Sequence, residues 1–548
     1  MPEYLAPGVY IEEVNSGPRP IEGVSTSTAG FVGETERGPD RPRMVTSWLD
    51  YQRWFGGYID EKPFDTPNIY LPYAVRGFFE NGGMRLFVAR VSGAGAASAV
   101  AEVPTEGPKP MRLRAIGKGE WGNYLMVSVE PSTAARVARA NEKTQGANGS
   151  RKSSPVTKWF RLKVLYYRKG IPKPFLDPTD PNNLAQQPQQ PDVMEDFDDL
   201  SPESSETNFV MTVVNGSSRL IEVTEFESAP REAKFEAAPF KNGKSIVARE
   251  DQFLDSKQTD PEARTGLAGL LAIREISLMA IPDEVVMPQL SIELVQTCEQ
   301  MKDRFAILSD PATNGNSNYT QLRPVRDSAY GAFYHPWVRV LAPHTALGSV
   351  LVPPAGHVAG VFARTDVERG VHKAPANEVL RGIVLRDLGG GRKPLSRTLN
   401  KQEQDVLNPK GVNLIRDFRA DRRDIRVYGA RTMSTDAMWK YINVRRLFIF
   451  IEQSIDRGTQ WAVFEPNSEV TWTAVRASIT GFLNTVWRNG ALMGTTQDEA
   501  FFVKCDRTTM TQDDFDNGRL ICLIGIAPVK PAEFVIFRFS QKTLEADS

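Results

Sequence analysis

Cysteine is nearly missing from this chain: Cys298, Cys505 and Cys522 are the only three in 548 residues, and no two lie at short spacing. That excludes a disulfide scaffold and a zinc ribbon and fits a reducing compartment. An excess of one charge is missing too. Sixty-six Lys and Arg balance 67 Asp and Glu, for a net charge of −1, which argues against a whole-chain polyanion binder. Nor is there a long apolar run fit to span a membrane. The longest uncharged stretch, Val340 to Ala363, contains Pro343, Pro353, Pro354, His344 and His357, and reads as turns and short strands. The start, Met1-Pro2-Glu3-Tyr4, has neither a basic cluster nor a signal-like apolar core. What is present, 41% hydrophobic and 9% aromatic residues, suffices for ordinary cores.

Along the chain, Val9 to Val14 is a β-prone segment bracketed by Pro7-Gly8 and by Asn15 to Pro20. A single strand cannot pair its own backbone groups, so it has to dock into some sheet. Ala29 to Gly33, Leu71 to Asn81 and Met84 to Val91 read as strand, helix and strand, with Gly82-Gly83 closing the helix. Leu125 to Glu130, Phe160 to Tyr167 and Phe209 to Val214 read as strands within a segment of segregated charge. Residues 131–170 hold ten basic side chains against Glu142 alone, and residues 192–207 hold seven acidic and no basic ones, which predicts solvated faces. Residues 226–262 read as a linker. Glu275 to Ala280 and Arg304 to Leu308 then predict strands flanking a helix over Gln289 to Lys302. Alternation of this kind on both sides of a β-rich stretch predicts an α/β core interrupted by an insertion. Helical spacing returns at Val444 to Ile455 and at Trp472 to Val486. Arg519 to Ile526 reads as a strand, and Phe534 to Ser540 as a last one beyond Pro528 and Pro531.

No stretch makes a convincing active site. Gly117 to Gly122 matches GxGxxG, but a strand follows where the dinucleotide motif needs a helix. Asn242-Gly243-Lys244-Ser245 lacks the first glycine of a phosphate loop. His335, His344, His357 and His372 show no metal-ligand spacing. No GxSxG nucleophile elbow occurs. Cys298 and Cys522 fall on apolar patterns and read as core thiols. Arg416 to Arg431 interleaves six arginines with Asp417, Asp421 and Asp424, more typical of an ion-paired surface than of a nucleic-acid site. The residues therefore predict no catalytic group, cofactor or metal.

Several stretches resemble the tail sheath proteins of contractile phage tails and related injection systems. They are Tyr4 to Glu13, Gly17 to Ile21, Gly119 to Asn123, Arg264 to Leu267 and Asp303 to Leu308. The resemblance is densest in Val352 to Gly360, Lys373 to Asn377, Gly429 to Thr432, Tyr441 to Leu447 and Pro528 to Phe534. It implies an α/β core, subtilisin-like in outline but non-catalytic, with an inserted β-rich outer domain and an α+β C-terminal domain. The corresponding boundaries are an arm over 1–24, core over 25–105, insertion over 106–228, linker over 229–262, core over 263–400, C-terminal domain over 401–532 and a second arm over 533–548. It further implies hexameric rings stacked helically around an inner tube that contract to drive the tube through a target envelope. The partners would be other copies, the tube, and baseplate and terminator proteins, with assembly in the bacterial cytoplasm and neither nucleic acid nor membrane insertion.

Orphan strands at both ends fit that reading, because donated strands pair between molecules and a head-to-tail donation propagates without closing. Val9, Tyr10, Ile11, Val14, Val535, Phe537 and Phe539 are the expected donors. Asp513, Asp514 and Arg488 are the expected tube contacts, since the C-terminal part lines the lumen in the family. Two other classes stand beside it: an α/β hydrolase- or protease-like enzyme, and a nucleic-acid-binding structural protein using Arg416 to Arg431.

Overall fold

A computed structural model describes residues 20–59, 69–144, 155–183, 186, 189–255, 258–260, 263–311, 319–343, 345, 347–386 and 393–538. The expected strand Val9 to Val14 lies outside them, as do His344, Phe539 and Ser540. The chain divides into two compact units, the larger comprising Ser27–Arg364 and Pro375–Ala437. The smaller draws on Met1–Thr26, Thr365–Ala374 and Met438–Ser548.

Ala29–Gly33 and Phe305–Ser309 are buried along their whole length, the mark of strands covered on both faces. They belong to a nine-stranded sheet. Its parallel part runs Leu86–Arg90, Ala29–Gly33, Leu278–Ala280, Phe305–Ser309, Gly331–His335 and Val412–Asp417 in space. Numbered along the chain, that order is 2-1-3-4-5-6, the doubly wound type. Antiparallel Arg43–Val45 closes one edge, and Ile425–Tyr428 with Glu378–Val379 closes the other.

The helix Leu71–Glu80 forms where expected. The stretch Val340 to Ala363 departs from expectation. Val338–Leu341 and Ser349–Val352 are strands, but Ala355–Arg369 is a helix. Pro353 and Pro354 precede it instead of breaking it, and Pro354 O accepts its first bond from Val358 N at 2.9 Å. Gly356 and Gly360 let this helix close on Leu71–Glu80: a Cβ on Gly360 would stand 2.4 Å from Phe78 O.

The insertion begins before its expected boundary, because Val100–Val103, expected in the core, joins Met111–Ala115 and Ile221–Glu225 in one three-stranded sheet; Leu125–Pro131, Phe160–Tyr166 and Val193–Leu200 form another. Arg136, Arg139, Asp192 and Glu203 of its charge blocks are exposed, as a solvated face requires, and the blocks meet at Arg161. Arg161 on one strand bonds Asp196 on the next at 2.7 and 2.5 Å, and Lys163 reaches Glu130 at 3.1 Å. The expected strand Phe209 to Val214 is instead the helix Val210–Ser217. Val210 and Val214, four apart, are buried, and Asn215 exchanges two hydrogen bonds with Val223. In the segment read as a linker, Phe235, Ala238, Phe240 and Ala248 are buried, and Ala233 bridges to Val129.

In the smaller unit, Ile442–Gly458 and Glu469–Arg488 are amphipathic helices whose apolar faces meet around Leu447, Ile451, Ile479 and Leu483. Of the expected strand Arg519 to Ile526 only Leu523–Ile526 is formed, paired antiparallel with Phe501–Lys504. Among the described residues no helix is long and apolar enough to cross a membrane.

Candidate assembly site at the root of the chain ends

Two places bear on function. The first is the carboxyl edge of the parallel sheet, where doubly wound proteins hold ligands next to the strand at which the order reverses. Here the chain's own acids fill it. Asp283 Oδ1 accepts Tyr70 N at 2.7 Å, at the start of the helix Leu71–Glu80, so a side-chain carboxyl takes the seat that a helix N-terminus offers an anion. Glu284 accepts Ser309 N at 2.8 Å, Ser309 Oγ accepts Ala355 N at 3.1 Å, and Glu34 accepts Ala248 N at 2.7 Å. Burial pushes Glu34 up to about 7, and Asp283 and Glu284 up to about 8, against hydrogen bonds that favour their ionised forms. His335 Nδ1 lies 2.8 Å from Asp310 Oδ2, with both side chains buried. These groups tie strand ends together.

The glycine motif serves packing at the same edge. A Cβ on Gly117 would stand 1.9 Å from Gly38 O, and Gly119 has φ +130°, a conformation open to glycine. Arg90, itself paired with Asp40 at 2.8 Å, donates to Lys118 O at 2.6 Å. A single 3-10 turn, Glu120–Tyr124, then leads into a strand. Of the described histidines, His357 packs beneath Gly77, and burial lowers it to about 4, so it is neutral. His372 is half-buried in the other unit. No group of three or more metal-ligating side chains occurs among the described residues.

The second place is the first turns of the helix Ile442–Gly458, buried although they carry Asn443, Arg445 and Arg446. Buried polar groups need partners, and the partners come from distant chain segments. Arg446 forms a bidentate pair with Asp366 at 2.8 and 2.6 Å and donates to Thr26 O at 2.9 Å. Asn443 Nδ2 donates to His372 O at 2.8 Å and to Val529 O at 3.0 Å. Ser454 Oγ accepts Val24 N at 3.1 Å, and Ile21 packs in the helical core. Tyr441 OH donates to Glu533 at 3.2 Å. One helix and its cap thus hold both the segment Ile21 to Thr26 and the segment Val529 to Glu533.

Beyond that root, Phe534, Val535, Ile536 and Phe537 are 70–77% exposed and form no strand. Among the described residues the hairpin Phe501–Lys504/Leu523–Ile526 has two strands, with Phe502 and Leu523 more than half exposed. Of the expected donors, Val535 and Phe537 lie in this exposed tail, while Val9, Tyr10, Ile11, Val14 and Phe539 are outside the described residues. Arg488 is exposed at the end of its helix. Asp513 is exposed and pairs with Arg519 at 3.1 Å. Asp514 is committed to its own helix, where its Oδ2 accepts both Thr511 N and Thr511 Oγ. Sequence reasoning passed over Asn443, Arg446 and Asp366 as functional groups. Asn443, four residues before Leu447, shares that residue's apolar face and carries a local signal, whereas Arg446 falls off the stripe of Val444, Leu447 and Ile451 and carries none.

Two family models match consecutive parts of the chain: phage tail sheath protein central domain over residues 257–433, and phage tail sheath C-terminal domain over 434–542. Together they cover more than half of it. The chain belongs to the phage tail sheath family. Curated relatives include the tail sheath proteins of Vibrio phage KVP40 and Enterobacteria phage T4, each 27% identical over 197 residues, or 36% of this sheath chain. Those alignments span 27% and 28% of the relatives' own length. The helical sheath of the anti-feeding prophage in its contracted state is 26% identical with a TM-score of 0.55, covering 98% of this chain and 100% of that one. The contracted PVC sheath complex, 21% identical with a TM-score of 0.53 and 99% coverage of both, shares the fold. The sheath-like stretch Tyr441 to Leu447 is the root just described, and the stretch Val352 to Gly360 is the close helix–helix contact.

Proposed function

We propose that this chain is the structural, non-enzymatic subunit of a contractile sheath. Copies polymerise as stacked hexameric rings around an inner tube, between baseplate and terminator proteins, and contract to drive the tube through a target envelope. Assembly takes place in the bacterial cytoplasm. The doubly wound core, subtilisin-like in outline, is a scaffold whose ligand edge is closed by its own acids. The observation that carries the reading is the shared root: the segments on the way to both chain ends meet at one helix, and the described tail beyond it displays four exposed apolar residues.

The arms Val9 to Val14 and Phe534 to Ser540 are donated strands. A two-stranded hairpin is marginal alone and has open edges, so Phe501–Lys504/Leu523–Ile526 is a suitable acceptor. Val9, Ile11, Val535, Phe537 and Phe539 set register by filling alternate pockets. Because the arms are rooted at Arg446, Asn443 and Ser454, movement of a neighbour is transmitted to that helix. Asp513 and Arg488 are the tube contacts, exposed and weak enough to release. Asp514 acts by shaping the loop that presents Asp513.

Negative-stain microscopy tests the reading. The full chain is expected to form long hollow tubes. The chain lacking residues 1–20 is expected to stay folded and soluble, because the root begins at Ile21, yet build none. Normal tubes from the truncated chain would overturn strand donation, and dispersed particles from the full chain would overturn the sheath reading.

A further inference from the structure

The hairpin brings together two of the three cysteines. Lys504 stands opposite Leu523 in the last registered pair, so Cys505 and Cys522 face each other one step beyond. Ala527 N donates to Ala500 O at 2.9 Å directly across the hairpin. Hydrogen-bonded rungs therefore fall at 500/527, 502/525 and 504/523, and the 505/522 rung is of the other kind. Such rungs hold Cα atoms about 4.5 Å apart, inside the roughly 4.4–6.8 Å that a disulfide spans. The two thiols are close enough to shift each other's ionisation and share a cluster with Trp472 and Met510. Cys505 is buried, whereas Cys522 is half-buried beside exposed Leu523. Cys298 is fully buried in the larger unit.

We propose that Cys505 and Cys522 are a thiol–disulfide couple that staples the hairpin, a modification site that holds whether or not the chain assembles. The oxidant is a low-molecular-weight disulfide. The Cys522 thiolate attacks one of its sulfurs and displaces the first small thiol, leaving a mixed disulfide. Cys505, as thiolate, attacks the Cys522 sulfur and displaces the second. One disulfide is reduced and one formed, and the two protons lost by the cysteines end on the two released thiols. The closed loop Asp506 to Ile521 carries the short helix Gln512–Asp516. Burial pushes the Cys522 thiol up to about 12, so thiolate is scarce near neutrality and exchange is slow, rising about tenfold per pH unit.

The full chain is incubated with oxidised glutathione at pH 7.5 and 8.5, quenched in acid, unfolded, titrated for thiols and mapped by mass spectrometry. The expected result is a fall from three free thiols to one, a linked Cys505/Cys522 peptide, unmodified Cys298, and two glutathione thiols released per chain. The rate at pH 8.5 should be about ten times that at pH 7.5. In Cys505→Ser the reaction is expected to stop at a glutathione adduct on Cys522. Three free thiols in the native chain, or stable adducts on Cys505 and Cys522 without a link, would overturn the proposal. Both readouts come from the unmutated chain, so they stand even if the variant misfolds.

Discussion

Breaking the Arg446–Asp366 pair is the sharpest test of how the smaller unit is held together. Both side chains are nearly inaccessible, 3% and 2% exposed, and the guanidinium makes two bonds to the carboxylate and a third to Thr26 O. Removing one member of a buried pair strands the other charge and costs about 3–5 kcal/mol. Arg446→Met and Asp366→Asn are each expected to destabilise the unit by that amount. At about 1.4 kcal/mol per factor of ten, amide hydrogen exchange in peptides covering 442–458 should accelerate a hundredfold or more. The double replacement Arg446→Met with Asp366→Leu leaves no stranded charge and should recover most of the loss. Acceleration below about tenfold in the single variants would refute this account of the pair. So would a double variant as unstable as their sum.

Stability of the larger unit should fall as pH rises. Asp283 and Glu284 have folded values near 8 and Glu34 near 7, against ordinary values near 4. Their contribution is therefore complete below about pH 4 and is lost as pH climbs through 7 to 8, each at up to about 1.4 kcal/mol per pH unit. Melting at pH 5.5 should exceed that at pH 8.5, and Asp283→Asn, which keeps the acceptor for Tyr70 N, should flatten the difference. Gly360→Ala should destabilise by about 1–3 kcal/mol through overpacking, whereas Gly481→Ala, which has nothing within 4 Å, should stabilise its helix by about 0.5–1 kcal/mol. Urea titrations would check both signs.

The strands Ala29–Gly33 and Leu86–Arg90 and the helix Leu71–Glu80 were legible because each is a short apolar run bounded by its own turn residues. Val210–Ser217 was not: a β-branched run of that length carries no period, and its helical state depends on Asn215 meeting Val223 and on Val210 and Val214 entering a core formed elsewhere. Proline before Ala355 reads as a breaker until the frame shows that it opens a helix. The charge blocks of the insertion were visible, but not that Arg161 and Asp196 occupy adjacent strands. The site was the least legible part. Resemblance marked Tyr441 to Leu447 as sheath-like, yet nothing local says that Arg446 reaches Thr26 or that Ser454 reaches Val24. Contacts across such separations exist only in the fold.

That separation carries a consequence for the newly made protein. Val24 waits 430 residues for Ser454, which at about 5–20 residues per second is roughly 20–90 seconds of synthesis. Throughout that time the leading segment has no fixed base. It gains one only when the last fifth of the chain has left the ribosome and folded around it. A chain cut short before that point leaves Val24 without Ser454, so, under the proposed strand donation, the late closure of the smaller unit acts as a completeness check on each subunit.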